Sequence, residues 1–102
     1  MTRHGIEISH EKLAEFCRRN HIRVLSLFGS ILRDDFRADS DVDVLVEFEP
    51  GHTPGFAIID MQDELSALLG GRKVDLVLRE ELLPRLRKRI LEQAEVQFVK
   101  EG

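Results

Sequence analysis

Apolar positions along the chain fall into segments with either strand-like or helix-like spacing. Segments that are rich in β-branched residues, or that alternate polar and apolar positions, predict three strands: Ile22 to Phe28, Asp41 to Phe48 and Lys73 to Arg79. Segments with apolar residues every three or four positions predict three helices: Ser9 to about Asn20, Gly55 to Leu69 and Glu81 to Ala94. Val96 to Val99 allows a short edge strand. This order predicts an α/β (α+β) fold, with a mixed three- to four-stranded sheet and helices packed mainly on one face.

The last predicted helix carries both an apolar stripe and a basic run. Its buried stripe is expected to contain five residues: Leu82, Leu83, Leu86, Ile90 and Ala94. Arg85, Lys88 and Arg89 then lie on the outside, and we interpret them as a solvated basic face rather than a phosphate site. In the preceding helix, Phe56 and Ile59 project away from the apolar stripe. They form either a second packing surface or a patch for a partner.

Aspartates interrupt two of the predicted strands, where this residue type is disfavoured. Asp41 and Asp43 share one face of the second strand because side chains alternate across a strand. Asp75 interrupts the third strand in the same way, and pairing of these two strands would bring all three carboxylates together. Because adjacent carboxylates repel each other, a bound metal ion is the simplest explanation of the cluster, whereas a bare, solvated edge is the alternative.

A Gly29-Ser30 turn follows the first strand. Glycine lets the backbone approach a ligand closely, and Ser30 could begin a short helical segment whose N–H groups bind an anion. The same dipeptide is also common as a tight turn with a helix cap, and by itself it does not decide between these alternatives.

Composition limits the broad class of the protein. The chain has 102 residues, 42% hydrophobic residues and 33% charged residues, which predicts one soluble globular domain spanning residues 1–102. A net charge of -4 argues against a surface built for nucleic acid. Cys17, the single cysteine, lies on an apolar helix face and is expected to be a buried structural residue. The sequence shows no secretion signal and no membrane-spanning segment, so we expect a cytoplasmic protein.

The spacing of Gly29-Ser30, ten residues and then Asp41-Val42-Asp43 resembles the GS-x10-DxD signature of nucleotidyltransferases with a polymerase-β-like palm. The longer stretch FGSILRDDFRADSDVDVLV resembles the motif of the minimal nucleotidyltransferase family, and the resemblance extends from Val24 to about Val99. Two positions depart from the family pattern. Ile31 stands where a basic residue is common, and Asp34 stands where a glycine is common, although Asp can adopt the left-handed conformation of a glycine.

The resemblance implies a set of site residues and cofactors. Asp41, Asp43 and Asp75 would hold two Mg²⁺ ions, and Gly29 and Ser30 would hold the β- and γ-phosphates of ATP. Arg33 is a candidate for a further phosphate contact, with Arg37 as a possible contributor. Attack at the α-phosphorus would transfer AMP and release pyrophosphate.

Small proteins of this family commonly accompany HEPN-domain toxins, so the resemblance also implies an antitoxin that transfers AMP to a tyrosine hydroxyl of its partner, as in a type VII-like toxin-antitoxin pair. Such a protein would form a hetero-oligomer with the toxin. Two alternatives remain. One is a non-catalytic antitoxin that acts by binding alone, and the other is a small-molecule adenylyltransferase, although no second substrate domain is evident.

Overall fold

The computed structural model of the protein describes residues 2–3, 6–7, 9–37, 39–52 and 54–101. The strands are β1 (Thr2–Arg3), β2 (Ile6–Glu7), β3 (Ile22–Phe28), β4 (Val42–Phe48), β5 (Val74–Leu78) and β6 (Glu95–Val99). The helices are α1 (His10–Arg19), α2 (Ala57–Leu68) and α3 (Pro84–Gln93). Each predicted element is therefore present, with ends that differ from the predicted ones by a few residues. Ser9 caps α1 by accepting a hydrogen bond from the Lys12 backbone N–H at 3.4 Å.

Four strands form the main sheet in the order β5-β4-β3-β6. β3 pairs antiparallel with both β4 and β6, whereas β4 pairs parallel with β5. The parallel pair is possible because α2 lies in the long connection between β4 and β5. β1 and β2 form a separate antiparallel pair. The mixed four-stranded sheet confirms the predicted fold class.

The hydrophobic core lies between α1, α2 and one face of the sheet. The helices contribute Leu13, Phe16 and Cys17 from α1 and Met61 and Leu65 from α2, all of them buried. Alternate residues of the strands meet them from the sheet: Leu25, Leu27, Val42, Val44, Val46, Val74 and Leu76. Cys17 is fully buried as predicted, and burial raises the pKa of its thiol to about 12, which disfavours the reactive thiolate.

The opposite face of the sheet is apolar in its middle and acidic at one end. Ser26, Leu45 and Val77 are register partners across β3, β4 and β5, and Leu45 is only 3% exposed. One step further along the strands, Asp43 and Asp75 occupy the same face. The sheet therefore presents its carboxylates on the side that α1 and α2 leave uncovered.

The predicted stripe of α3 is wrong at Leu83 and Leu86, whereas Leu82 is buried and Ile90 and Ala94 are half-buried as predicted. No residue of α3 is buried, and Leu83 and Leu86 are 54% and 40% exposed. The half-buried side is formed instead by Arg87, Ile90, Leu91 and Ala94, which follow the spacing i, i+3, i+4, i+7. Leu83 does not share the periodicity of α3, because the helix begins at Pro84.

Phe56 and Ile59 project into solvent as predicted, with 92% and 56% of their surfaces exposed. Among the residues that the structure describes, no helix has the length and apolar character needed to cross a membrane.

Candidate active site

Two of the predicted site carboxylates are directly opposed across a parallel strand pair. Asp43 of β4 is the register partner of Asp75 of β5. Neighbouring strands lie about 4.8 Å apart, so the two side chains emerge side by side on one face. A hydrogen bond of 2.8 Å from the Val42 N–H to the Lys73 carbonyl fixes this register at the start of the pair. The two strands are therefore adjacent, which is the condition under which the sequence brings their carboxylates together.

Asp41 immediately precedes β4 rather than lying inside it. Its side chain is 45% exposed, and its Oδ2 atom lies 4.0 Å from the Lys73 ammonium nitrogen. Asp41 lies two residues before Asp43, so its side chain emerges near the other two carboxylates, at the more exposed end of the group.

Gly29 brings the end of β3 against Asp43. Its φ of +75° is a left-handed conformation that favours glycine. A Cβ atom at this position would overlap Oδ2 of Asp43 and lie only 3.1 Å from its Cγ. Glycine is therefore required here for two reasons, its backbone conformation and its close approach to a carboxylate.

Ser30 faces the carboxylates with both of its hydrogen-bond donors. Its backbone N–H donates a hydrogen bond to the Asp43 carboxylate, and its hydroxyl donates to the Asp41 carbonyl at 3.5 Å. The expected helical segment beginning at Ser30 is only a single 3₁₀ turn, Gly29–Leu32, capped by Phe28. So short a turn contributes little helix dipole, so binding of an anion here would depend on its individual donors, and it stays a prediction.

The electrostatic environment of Asp43 is unfavourable for its charged form. Burial, followed by the charges of Asp75 and Asp41, raises the pKa of the Asp43 carboxyl above its ordinary value. The hydrogen bond from the Ser30 N–H and the positive charge of Arg33 act in the opposite direction but do not compensate fully. A bound cation would relieve this unfavourable interaction at Asp43.

The chemistry of the donors fits Mg²⁺, which prefers carboxylate oxygens and retains several waters. The side chains do not form a closed cage, because no three carboxylate, imidazole or thiol groups among the described residues lie close enough together to hold a metal ion as they stand. The backbone nevertheless places Asp41, Asp43 and Asp75 at one end of one sheet face.

The segment between Ser30 and Asp41 differs from expectation at two positions. Ile31 is fully buried in the core, so it supports the turn by packing. Asp34 lies in an exposed turn, but it is not among the described residues with positive φ, so the expected left-handed conformation was wrong. A basic side chain is thus absent at position 31 because that side chain points inward.

The two candidate arginines of this segment lie in different surroundings. Arg33 is exposed, pairs with Asp35 at 3.3 Å, and lies close enough to Asp43 to affect its pKa. Arg37 accepts a hydrogen bond from Arg72 at its carbonyl and donates its N–H to Ser40. Arg37 therefore helps to hold the loop before β4, and it is not among the residues that line the two clefts between the Gly29 turn and α3.

Two clefts separate the Gly29 turn from α3. One has a volume of about 350 Å³ and the other about 490 Å³, and both are lined by Gly29, Arg33, Arg89 and Gln93. Sequence reasoning did not include Arg89 and Gln93 in the site. The spacing of Leu86, Arg89, Ile90 and Gln93 on one side of α3 was a usable signal, but it became informative only once the helix could be placed beside Gly29.

The chain is similar to known nucleotidyltransferases in sequence and in fold. The family described as "Nucleotidyltransferase domain" matches residues 10–96. Protein adenylyltransferase MntA of Thermococcus cleftensis is 38% identical over 90 residues, which are 87% of this chain and 86% of that protein. A solved structure of a minimal nucleotidyltransferase is 41% identical, with a TM-score of 0.68 over 83% of this chain and 85% of the other.

A more distant structure contains a tri-AMPylated HEPN toxin of Shewanella oneidensis in complex with an MNT antitoxin. It matches with a TM-score of 0.63 over 89% of this chain and 70% of the other, and at 20% identity this likeness shows a shared fold. The family match and the MntA identity cover the strands and the turn that carry the predicted motif. The chain belongs to the nucleotidyltransferase domain family as a relative of the MntA adenylyltransferases, and its enzyme class is that of a nucleotidyltransferase.

Proposed function

We propose that this protein transfers AMP from ATP to a hydroxyl group, that of a tyrosine, on a partner HEPN toxin, and that it thereby acts as the antitoxin in the cytoplasm. The observation that carries the proposal is the direct opposition of Asp43 and Asp75 beside the Gly29-Ser30 turn. An adenylyltransferase relative that is 38% identical supports AMP as the transferred group. The more distant complex with an AMPylated toxin supports a HEPN protein as the acceptor.

The reaction is an in-line displacement at the α-phosphorus of the nucleotide. A bond forms between the acceptor oxygen and the α-phosphorus, and the bond from that phosphorus to the bridging oxygen of the β-phosphate breaks. Pyrophosphate leaves with the bonding electron pair, and the acceptor proton passes to the carboxylate of Asp75. Asp75 suits this role because it is exposed beside Asp43, where an incoming hydroxyl can approach.

Asp41, Asp43 and Asp75 would hold two Mg²⁺ ions, which would supply the positive charge that a triphosphate and its developing transition state need. Gly29 provides backbone that a phosphate can approach closely, and Ser30 provides a hydroxyl donor. The Ser30 hydroxyl can turn toward a phosphate at little cost, because its hydrogen bond to the Asp41 carbonyl is at the 3.5 Å limit. Arg33 adds a cation on the same side.

The openness of the site favours an acceptor carried by another protein. Asp75 is exposed and Asp41 is 45% exposed, so the carboxylates lie on a surface rather than in an enclosed pocket for a small molecule. A tyrosine on a protein surface could reach such a face after complex formation.

Transfer of label from ATP tests the proposal. The protein is incubated with Mg²⁺, the HEPN partner and ATP labelled in either the α- or the γ-phosphate. Label from the α-phosphate should appear on the toxin, and label from the γ-phosphate should not. Transfer of the γ-label would indicate phosphorylation and would contradict the proposal, as would the absence of any label on a toxin that binds the protein.

A non-catalytic antitoxin is the second candidate, and one observation favours it. The described carboxylates do not form a ready-made metal cage. If binding alone neutralises the toxin, the double variant Asp41→Asn, Asp43→Asn should protect cells as well as the wild type does. If transfer is required, the same variant should bind the toxin but fail to protect.

A further inference from the structure

The clefts between the Gly29 turn and α3 contain more positive charge than the sequence motif supplies. Arg33 of the turn and Arg89 of α3 both line the two clefts. Phe28, Leu86 and Ile90 form the apolar floor of the smaller cleft. Within the part of the chain that the structure describes, the Arg89 guanidinium takes part in no ion pair, whereas Arg33 has only the exposed Asp35.

Arg89 occupies a defined side of α3. Leu86, Arg89, Ile90 and Gln93 follow the spacing of one helical face, and all four line the smaller cleft. Lys88 belongs to a different face, beside Arg79 and Arg87. Arg85 lies outside the clefts lined by either face. The basic run of α3 is therefore divided among different surroundings, and it is not one uniform solvated face.

We propose that Arg89 and Arg33 together bind the β- and γ-phosphates of the nucleoside triphosphate, with Gln93 beside them as a neutral donor. This inference rests on the proposed function, because it takes the triphosphate to lie along the Gly29-Ser30 turn. Two guanidinium groups that line the same cleft match an anion with several oxygens, since each can donate two parallel hydrogen bonds. During transfer they would stabilise the pyrophosphate that leaves with the electron pair of the broken bond.

The inference also explains how the site functions with isoleucine at position 31. Ile31 is fully buried and contributes no charge to the cleft. Arg89 restores a cation from another element, 58 positions along the chain from Ile31, close to Gly29 and Arg33. Among the described residues that line the larger cleft, only Glu95 is acidic, so the bound phosphates are expected to lie on the Arg89 side of it.

Binding measurements with three ligands test whether Arg89 contacts the β- and γ-phosphates or the rest of the nucleotide. Titration calorimetry in Mg²⁺ would compare a non-hydrolysable ATP analogue, AMP and inorganic pyrophosphate on the wild type, Arg89→Ala and Arg85→Ala. Arg89→Ala should weaken binding of the ATP analogue and of pyrophosphate by about 10- to 100-fold, because charge-assisted hydrogen bonds are lost. Its affinity for AMP should be unchanged. Arg85→Ala removes the same charge from the same helix and should leave all three affinities unchanged.

The possible results test the phosphate role of Arg89 and the proposed function separately. If the wild type binds the ATP analogue and Arg89→Ala binds it equally well, the phosphate role of Arg89 is refuted and the proposed function stands. Equal losses for AMP and the ATP analogue would also refute it, since the cleft would then hold the nucleoside. If the wild type binds no ATP analogue, both the inference and the proposed function are refuted.

Discussion

The Asp43 carboxylate destabilises the metal-free fold when it is charged, although the proposed function requires it. Its carboxylate lies against Gly29 and next to Asp75 and Asp41, and its pKa is raised mainly by burial and then by these two charges. The unfolded chain ionises at this residue more readily than the folded protein does. In the metal-free protein, stability should therefore fall as the pH rises from the ordinary aspartate pKa through the raised pKa of Asp43.

Asp43→Asn should make the metal-free protein more stable at neutral pH while abolishing transfer. The amide removes the unfavourable charge, and its carbonyl oxygen can still accept the hydrogen bond from the Ser30 N–H. Urea unfolding at a series of pH values checks this prediction. The stabilisation should disappear when the pH falls below the ordinary aspartate pKa, because both states of the wild type are then protonated. An equal gain at all pH values would show that the charge of Asp43 is not its cause.

Gly29→Ala should destabilise the protein and lower activity by about 100-fold, because the new methyl group displaces the Asp43 carboxylate. Gly70→Ala is the matched control. Gly70 has the same φ of +75°, but a Cβ there would have no neighbour within 4 Å. Both variants should lose about 1 to 2 kcal/mol from the left-handed conformation, so the difference between them measures the contact with Asp43. Urea unfolding measures the loss of stability, and a transfer assay measures the loss of activity. Equal effects of both variants on activity would show that the contact with Asp43 is not the cause.

At the scale of elements, the edge strand β5 determines whether Asp75 reaches the site. β5 has one neighbouring strand, β4, and α2 supports its outer edge through a hydrogen bond of 3.0 Å from the Leu76 N–H to Gln62 Oε1. The Gln62 side chain therefore accepts the hydrogen bond from the Leu76 N–H that a further strand would otherwise accept.

Gln62→Leu should destabilise the protein by about 1 to 3 kcal/mol, because it leaves the Leu76 N–H without its acceptor. Hydrogen exchange at the Leu76 amide should become faster, and urea unfolding should shift to lower concentration. Gln62→Glu keeps an oxygen acceptor and should retain slow exchange at Leu76. Slow exchange in the leucine variant would show that Gln62 does not support this edge.

The sequence allowed the strands, the turn and the carboxylates to be predicted because their signals are local. Alternation along β4 placed Asp43 opposite the core, and the isolated Asp75 in an apolar strand marked the second carboxylate. The position of α3 could not be predicted in the same way. Its apolar residues are too few to specify one buried side, and the side facing Gly29 depends on contacts between residues far apart in the chain.

At the scale of the whole molecule, the fold collects three carboxylates at one sheet end of a chain with net charge -4. If this cluster holds Mg²⁺ as proposed, Mg²⁺ should stabilise the folded protein, since the unfolded chain has no comparable site. The unfolding temperature of the wild type should rise with Mg²⁺ concentration. Asp41→Asn, Asp43→Asn should show little dependence, whereas Asp63→Asn, a change at an exposed position of α2, should behave like the wild type. An equal rise in all three proteins would indicate non-specific binding.

The most direct test of the central claim is the intact mass of the HEPN partner after incubation with this protein, ATP and Mg²⁺, followed by mapping of the modified residue. We predict a gain of one or more whole AMP units on a tyrosine, with no gain when Asp43→Asn replaces the wild type and a normal gain with Asp63→Asn. A toxin whose mass is unchanged although it forms a complex with the wild-type protein would contradict the claim that this nucleotidyltransferase acts by adenylylating its partner.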